Sequence, residues 1–456
     1  MDTKQNQQLY SVNKEDQDQL LGSNFLYSSG SIILTDGTTK YRFLMILMMM
    51  TAFGINQNCY DLNNVGTPDY LYYIEPFFYV ILFMSSIRWI EEWGLYRTMI
   101  FAMILQTFAL WFGRSLNSKI FETELVGPTV GEFLNSAAQV YMFNALTKFT
   151  GLWFAYKERV IATTLILIAN YVGNLTTNWY LFFTPSGDGE TLQRQYEHFR
   201  YYLEAYWLAL AIFNFVILLV FILAFRAAPN HIPSRSQQVR GNPFNFRNQM
   251  TELLEEKENK IYLGVCAFLL VYQFCSPYNF RYFAFEEAII EGHFATIIND
   301  VQPYCIIGGL LVTGIVLSLT QKYKLILIVL IASSLTVTLL GEVSFLIGQP
   351  ILLYISYSLQ GFFIGGLKIA IYETVTEFCY PQSAALAVGL LHLIAKPCIL
   401  ALTVISDNAD DAYAGIDFQN HIFNDVIQFI FIACLGVCLA LVAKFELKTP
   451  RLECDE

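Results

Sequence analysis

The stretch "FRAAPNHIPSRSQQVRGNPFNFRNQMTELLEEKENK", residues 225–260, decides how the rest of the chain is read. It is polar, about 35 residues long, and ends in what reads as a short acidic amphipathic helix. On both sides of it the sequence turns apolar. Runs of about 20 residues, the length that spans a ~30 Å hydrocarbon core, fall near 41–60, 70–90, 95–114, 127–153, 159–183 and 201–225 before it. Six more follow, near 261–284, 294–318, 323–342, 349–378, 384–405 and 423–444. Six spans, a polar link and six more predict an all-α polytopic membrane protein of twelve transmembrane helices in two six-helix bundles, 41–225 and 261–445, joined by the linker 226–260.

The bulk composition agrees. Of the 456 residues 55% are hydrophobic and 14% charged, and the mean hydropathy is +0.44. That is more apolar surface than one aqueous-facing core absorbs, so a lipid bilayer is the expected surroundings. The net charge of -11 comes with cations scattered through short connections, which leaves no basic face for nucleic acid. The nine cysteines show no metal-ligand spacing, and no HExxH, GxSxG, phosphate-binding or dinucleotide-binding motif is present. The sequence therefore supplies no catalytic residue, no metal site and no cofactor.

The first 40 residues are polar and lack the apolar core of a signal peptide, so 1–40 read as a disordered cytoplasmic tail, and 446–456 read as a short cytoplasmic C-terminal tail. Orientation follows from Lys and Arg. With both termini and the linker cytoplasmic, about 20 of the 27 lie on the cytoplasmic side, and Lys368 and Lys396 lie inside the membrane. The membrane itself, plasma membrane or organelle, is left open.

Polar residues inside apolar runs are costly and mark function or interhelical contact. In the fourth span Thr129, Glu132, Ser136 and Gln139 recur at steps of 3, 4 and 3 and share one helical face. They read either as interhelical hydrogen bonds or as a cavity wall, with Gln139 the deepest. The fifth span carries Asn170, Gly173 and Asn174, a density that fits close helix packing or ligand contact. Tyr60, at the end of the first span, and Tyr278 and Phe280, after Pro277 in the seventh, are interfacial anchors or faces of a cation-π box. Pro277 is expected to break or kink its helix. Glu373 and Glu377 lie one turn apart at the end of the tenth span, where they are solvated or form a gate with Arg97, Lys157 or Arg159. Lys396 sits twelve residues along the eleventh span, near mid-membrane, where an unpaired cation costs about 3 kcal/mol. It needs a partner; Glu75 in the second span or an adjacent acid is a candidate, as a gate or as a static pair, in the arrangement that the resemblance given below implies.

Two blocks carry a family resemblance. "SAAQVYMFNALTKFTGLWFAYKERVIATTLILIANYVGN" and "YETVTEFCYPQSAALAVGLL" resemble signatures of the solute carrier 49 family, relatives of the feline leukaemia virus subgroup C receptor, within the major facilitator superfamily. The matching residues are Ala138-Gln139, Trp153-Phe154 with Glu158, Ala169-Asn170 with Gly173, then Glu373, Glu377, Tyr380-Pro381 and Gly389-Leu390-Leu391. The resemblance implies a transporter of choline, ethanolamine or haem-related solutes by alternating access. It implies a binding site at Gln139, with Tyr60 and Phe280 at aromatic positions, Tyr278 nearby, and Lys396 where the family sets a glutamine. A cation there repels choline and points to an anionic or zwitterionic solute. Ser318 stands where the family places an acid. The alternative is a transporter-derived subunit or receptor, inactive in transport, within a larger membrane assembly.

Overall fold

In the computed structural model the described residues are 36–64, 73–115, 126–182, 192–229, 236, 245–286, 292–347, 349–413 and 417–455. Residues Met1–Tyr41 and Arg42–Glu456 form separate units, and the helical bundle belongs to the second. The tail expected over 1–40 lies almost wholly outside the described residues.

The first six long helices are α1 (Asp36–Asn64), α2 (Ile74–Arg88), α3 (Gly94–Ser115), α4 (Val126–Trp153), α5 (Tyr156–Phe182) and α6 (Leu192–Ala224). A short helix, α7 (Phe246–Glu255), follows in the linker. Six more are α8 (Lys257–Glu286), α9 (Gly292–Thr320), α10 (Tyr323–Ile347), α11 (Pro350–Phe378), α12 (Ala384–Tyr413) and α13 (Asp417–Lys444), and α14 (Pro450–Asp455) is short. The described residues hold no strand. Each expected span thus corresponds to one long helix, and several overrun it by a turn or two because helices continue past the hydrocarbon boundary. Seven described stretches are long and apolar enough to cross a membrane unaided, one of them, Ile74–Gly113, running through two helices.

Local chemistry sets several boundaries. Asn245 caps α7 by accepting from the Asn248 amide, and Pro350 and Pro450 open their helices where no backbone donor is needed. Between α2 and α3 the chain makes one π turn, Trp89–Trp93, closed by Gly94 at φ 84°. Of the break or kink expected at Pro277, the break does not occur. α8 continues through it, as membrane helices do when neighbours meet the freed backbone groups.

Small residues fix the closest crossings. A Cβ on Gly173 of α5 would stand 2.1 Å from the Gly54 carbonyl oxygen of α1, and one on Gly309 of α9 would stand 1.8 Å from the Phe362 carbonyl oxygen of α11. Between the two sets, Gly314 of α9 meets Thr164 of α5, and Gly389 of α12 meets Phe83 and Ile87 of α2. Of the small and amide residues in the fifth span, Gly173 therefore serves close packing. α4 runs through the middle, with every residue from Asn135 to Gly151 buried.

Candidate functional site

Four helices from each set, α1, α2, α4 and α5 with α8, α9, α11 and α12, enclose a cavity of about 330 Å³. This is within the usual range for a small-molecule site. Of the expected binding residues, Tyr60, Gln139, Asn170 and Lys396 line it, as does Glu75. Tyr278 and Phe280 lie outside the residues whose side chains are described.

Lys396 donates to both oxygens of Glu75, at 2.6 and 2.7 Å, joining α12 to α2. Both side chains are buried. The ammonium also faces the rings of Phe274 at 4.2 Å and Tyr79 at 5.2 Å, so carboxylate and π density together replace the water lost on burial. One turn away, His392 stacks on Tyr79 at 4.7 Å, and its Nε2 shares a 2.7 Å hydrogen bond with the Tyr372 hydroxyl.

The stripe on α4 divides. Glu132 accepts from the Ser136 hydroxyl at 2.7 Å, an intrahelical contact, whereas the Gln139 side chain is buried at the cavity wall with its Oε1 unpartnered. Opposite, Asn170 donates to Gln57, while Gln57 and Asn174 each donate to Asp61 at 3.0 Å. The α1-α5 side of the cavity is thus a chain of amides ending on a carboxylate.

Sequence reasoning placed Lys368 in the membrane but gave it no role. In the structure it lines the cavity from α11, buried, with its ammonium 4.5 Å from the Tyr171 ring and 5.8 Å from the Phe143 ring. Its apolar setting and the absence of an acid one turn away were the signals available. Gln273 and Gln302 were also missed, and each presents a buried Nε2 without a protein partner.

A second cluster closes the end of the bundle that carries the linker. The Arg159 guanidinium of α5 lies 3.6 Å from Glu373, bonds Glu377 and reaches Asp455 of α14 at 3.3 Å. Thr163 donates to Glu373 at 2.7 Å, the Leu452 amide to Glu377 at 3.1 Å, and Ser236 of the linker donates to Asp455 through both its amide and its hydroxyl. All three acids are buried, so Glu373 and Glu377 are not the solvated pair that the sequence left open. Burial and the neighbouring Arg159 push the Arg451 guanidinium down to about 10. Of the basic partners considered, Arg159 takes the acids. The Lys157 backbone carbonyl accepts from the Ser318 hydroxyl at 2.6 Å, so Ser318 keeps a contact across the two sets by a neutral hydrogen bond. The π turn brings Glu91 to Lys148 at 2.9 Å and to the Ser383 hydroxyl.

No protein-family model matches the chain. It is 22% identical over 339 residues to an uncharacterized MFS-type transporter of Caenorhabditis elegans, covering 71% of this chain and 55% of that protein. It is 20% identical over 387 residues to the choline/ethanolamine transporter FLVCR2 of Rattus norvegicus, covering 83% and 67%. The chain therefore spans about 55 to 67% of the length of these relatives. Among solved structures, the major facilitator superfamily transporter FucP in its outward conformation superposes with a TM-score of 0.65 at 12% identity, covering 88% of this chain and 99% of FucP. The chain has the major facilitator fold, and its resemblance to the solute carrier 49 family extends beyond the two signature blocks.

Proposed function

We propose that this protein is a secondary transporter that moves a small organic solute bearing an anionic group by alternating access. The observation that carries this reading is the charge on the cavity wall, where two buried lysines stand among the lining residues with one carboxylate, Glu75, while the other acid nearby, Asp61, lies behind the α1-α5 amides and is held by Gln57 and Asn174. A purely cationic solute such as the choline or ethanolamine of the named relatives would be repelled there, whereas an anionic or zwitterionic one is attracted. The Lys396–Glu75 pair joins the two sets on one side of the cavity. The Arg159 cluster joins them at the linker end. Alternating access requires such contacts to open in turn while the halves, residues 41–225 and 261–445, rock as units about the site. In this reading Gln139, Tyr60 and Asn170 contact the solute, and the linker 226–260 and both termini face the cytoplasm.

Uptake into proteoliposomes tests it, with a panel of small carboxylates, amino acids, choline and ethanolamine. Uptake of an acid or zwitterion that Gln139→Ala weakens without unfolding the protein is the expected result. No uptake of any member, with stable co-purification of a larger membrane assembly, would establish the non-transporting reading in its place.

A further inference from the structure

The two buried lysines of the cavity are not equivalent. Lys396 is saturated, with both Glu75 oxygens within 2.7 Å and two ring faces against its ammonium. Lys368 has no carboxylate within ion-pair distance among the described residues. Its ammonium meets the Tyr171 hydroxyl at 3.4 Å and the faces of Tyr171 and Phe143. Ring faces offset part of the cost of a buried ammonium, and beyond the one long bond to Tyr171 its N–H donors stay available to a stronger acceptor.

The neighbouring helices of the second set supply donors of the same kind. The Gln302 oxygen accepts from the Tyr357 hydroxyl at 2.9 Å, and its Nε2 is left without a protein partner. Gln273 on α8 likewise leaves its Nε2 unpartnered. Both residues line the cavity with Lys368. A buried wall of one ammonium and two amide donors is the inventory that recognises a carboxylate. Across it, Gln139 of the first set leaves an unpartnered acceptor, Oε1, which suits a hydroxyl or ammonium hydrogen elsewhere on the solute.

We infer that Lys368, not Lys396, is the anion-selecting residue of the cavity, and that it binds a carboxylate of the solute with Gln273 and Gln302 as accessory donors. This rests on the transporter reading for its context but not for its test, because binding is measured without transport.

The test is a thermal-shift titration of the full chain in detergent with lactate, succinate, glutamate and choline. At least one of the three carboxylates stabilises the wild type, and choline does not. Lys368→Gln weakens that carboxylate about 10- to 100-fold, the loss of one charge-assisted hydrogen bond, and Lys368→Arg, which keeps the charge, recovers most of it. The neutral Gln strands no acid, so the variant is expected to fold; should it not, Lys368→Arg compared with Lys368→Met carries the same comparison. Stabilisation by choline alone, no stabilisation by any carboxylate, or equal carboxylate affinity in the wild type and the neutral variant would overturn the inference. Carboxylate binding that depends on Lys368 without proteoliposome uptake would retain it and remove the transporter reading instead.

Discussion

Removing either partner of the Glu75–Lys396 pair should destabilise the protein, and unequally. Breaking a buried ion pair by deleting one member costs about 3–5 kcal/mol, because the other charge stays buried and uncompensated. In Lys396→Met the survivor is the Glu75 carboxylate, which loses both of its 2.6 and 2.7 Å donors, so the cost falls in that full range. In Glu75→Gln the survivor is the ammonium, which keeps the rings of Phe274 and Tyr79 and gains an amide oxygen. Cation-π attraction of about 1–2 kcal/mol lowers that cost to roughly 2–3 kcal/mol. The double variant removes both charges, and about 1 kcal/mol of destabilisation is expected from imperfect repacking. The singles then sum to several kcal/mol more than the double, a coupling of at least about 3 kcal/mol. Equilibrium unfolding from mixed micelles with a denaturing detergent measures all three. Additive singles, or a Glu75→Gln variant less stable than Lys396→Met, would refute the assignment of both the pairing and the ring contribution.

Arg159→Ala should cost about 3 kcal/mol or more, because it removes the cation that three buried acids share, whereas Lys448→Ala, whose 3.5 Å contacts to Glu256 and Glu258 are solvent-exposed, should stay within about 0.5 kcal/mol; thermal unfolding of the two variants compares them. Gly173→Val should separate α1 from α5 and cost more than about 3 kcal/mol, since its Cβ would meet backbone that cannot yield; the purified variant's unfolding temperature reads this directly. Protease added to the outer face of intact cells or sealed organelles should leave the linker 226–260 uncut, and cleavage there would reverse the orientation.

The fold was legible because lipid imposes length and apolarity on every span, and the long polar run at 225–260 divides twelve of them evenly. Gln139 was legible because helical periodicity fixes a face, and Lys396 because a lysine in an apolar run demands a partner. The same demand applied to Lys368, whose role went unread because the rings of Tyr171 and Phe143 that meet its ammonium lie on other helices, far away in the sequence. The Arg159 cluster was only partly readable. Glu373 and Glu377 announce themselves as a pair one turn apart, but Asp455 lies 296 positions from the arginine that it meets, and no local pattern encodes such a contact. Whether Pro277 kinks its helix depends on neighbours that satisfy the freed groups, which spacing alone does not specify.

α4 bears on how the protein is made. It carries Glu132, Asn135, Gln139, Asn144 and Lys148 within four and a half turns, and its fully enclosed stretch from Asn135 to Gly151 touches protein on all sides. Its two charges, Glu132 and Lys148, lie about two turns either side of its centre, and α4 is not among the seven described stretches long and apolar enough to cross a membrane unaided. It is therefore a poor passenger by itself, and its apolar neighbours in the chain, α3 before it and α5 after it, must accompany it into the bilayer. Biogenesis of the first half then becomes a collective event in which α4 waits at the exit for its escorts. Substitutions that make α3 or α5 more polar would be felt first as α4 left in the aqueous compartment and handed to quality control, before any question of substrate arises.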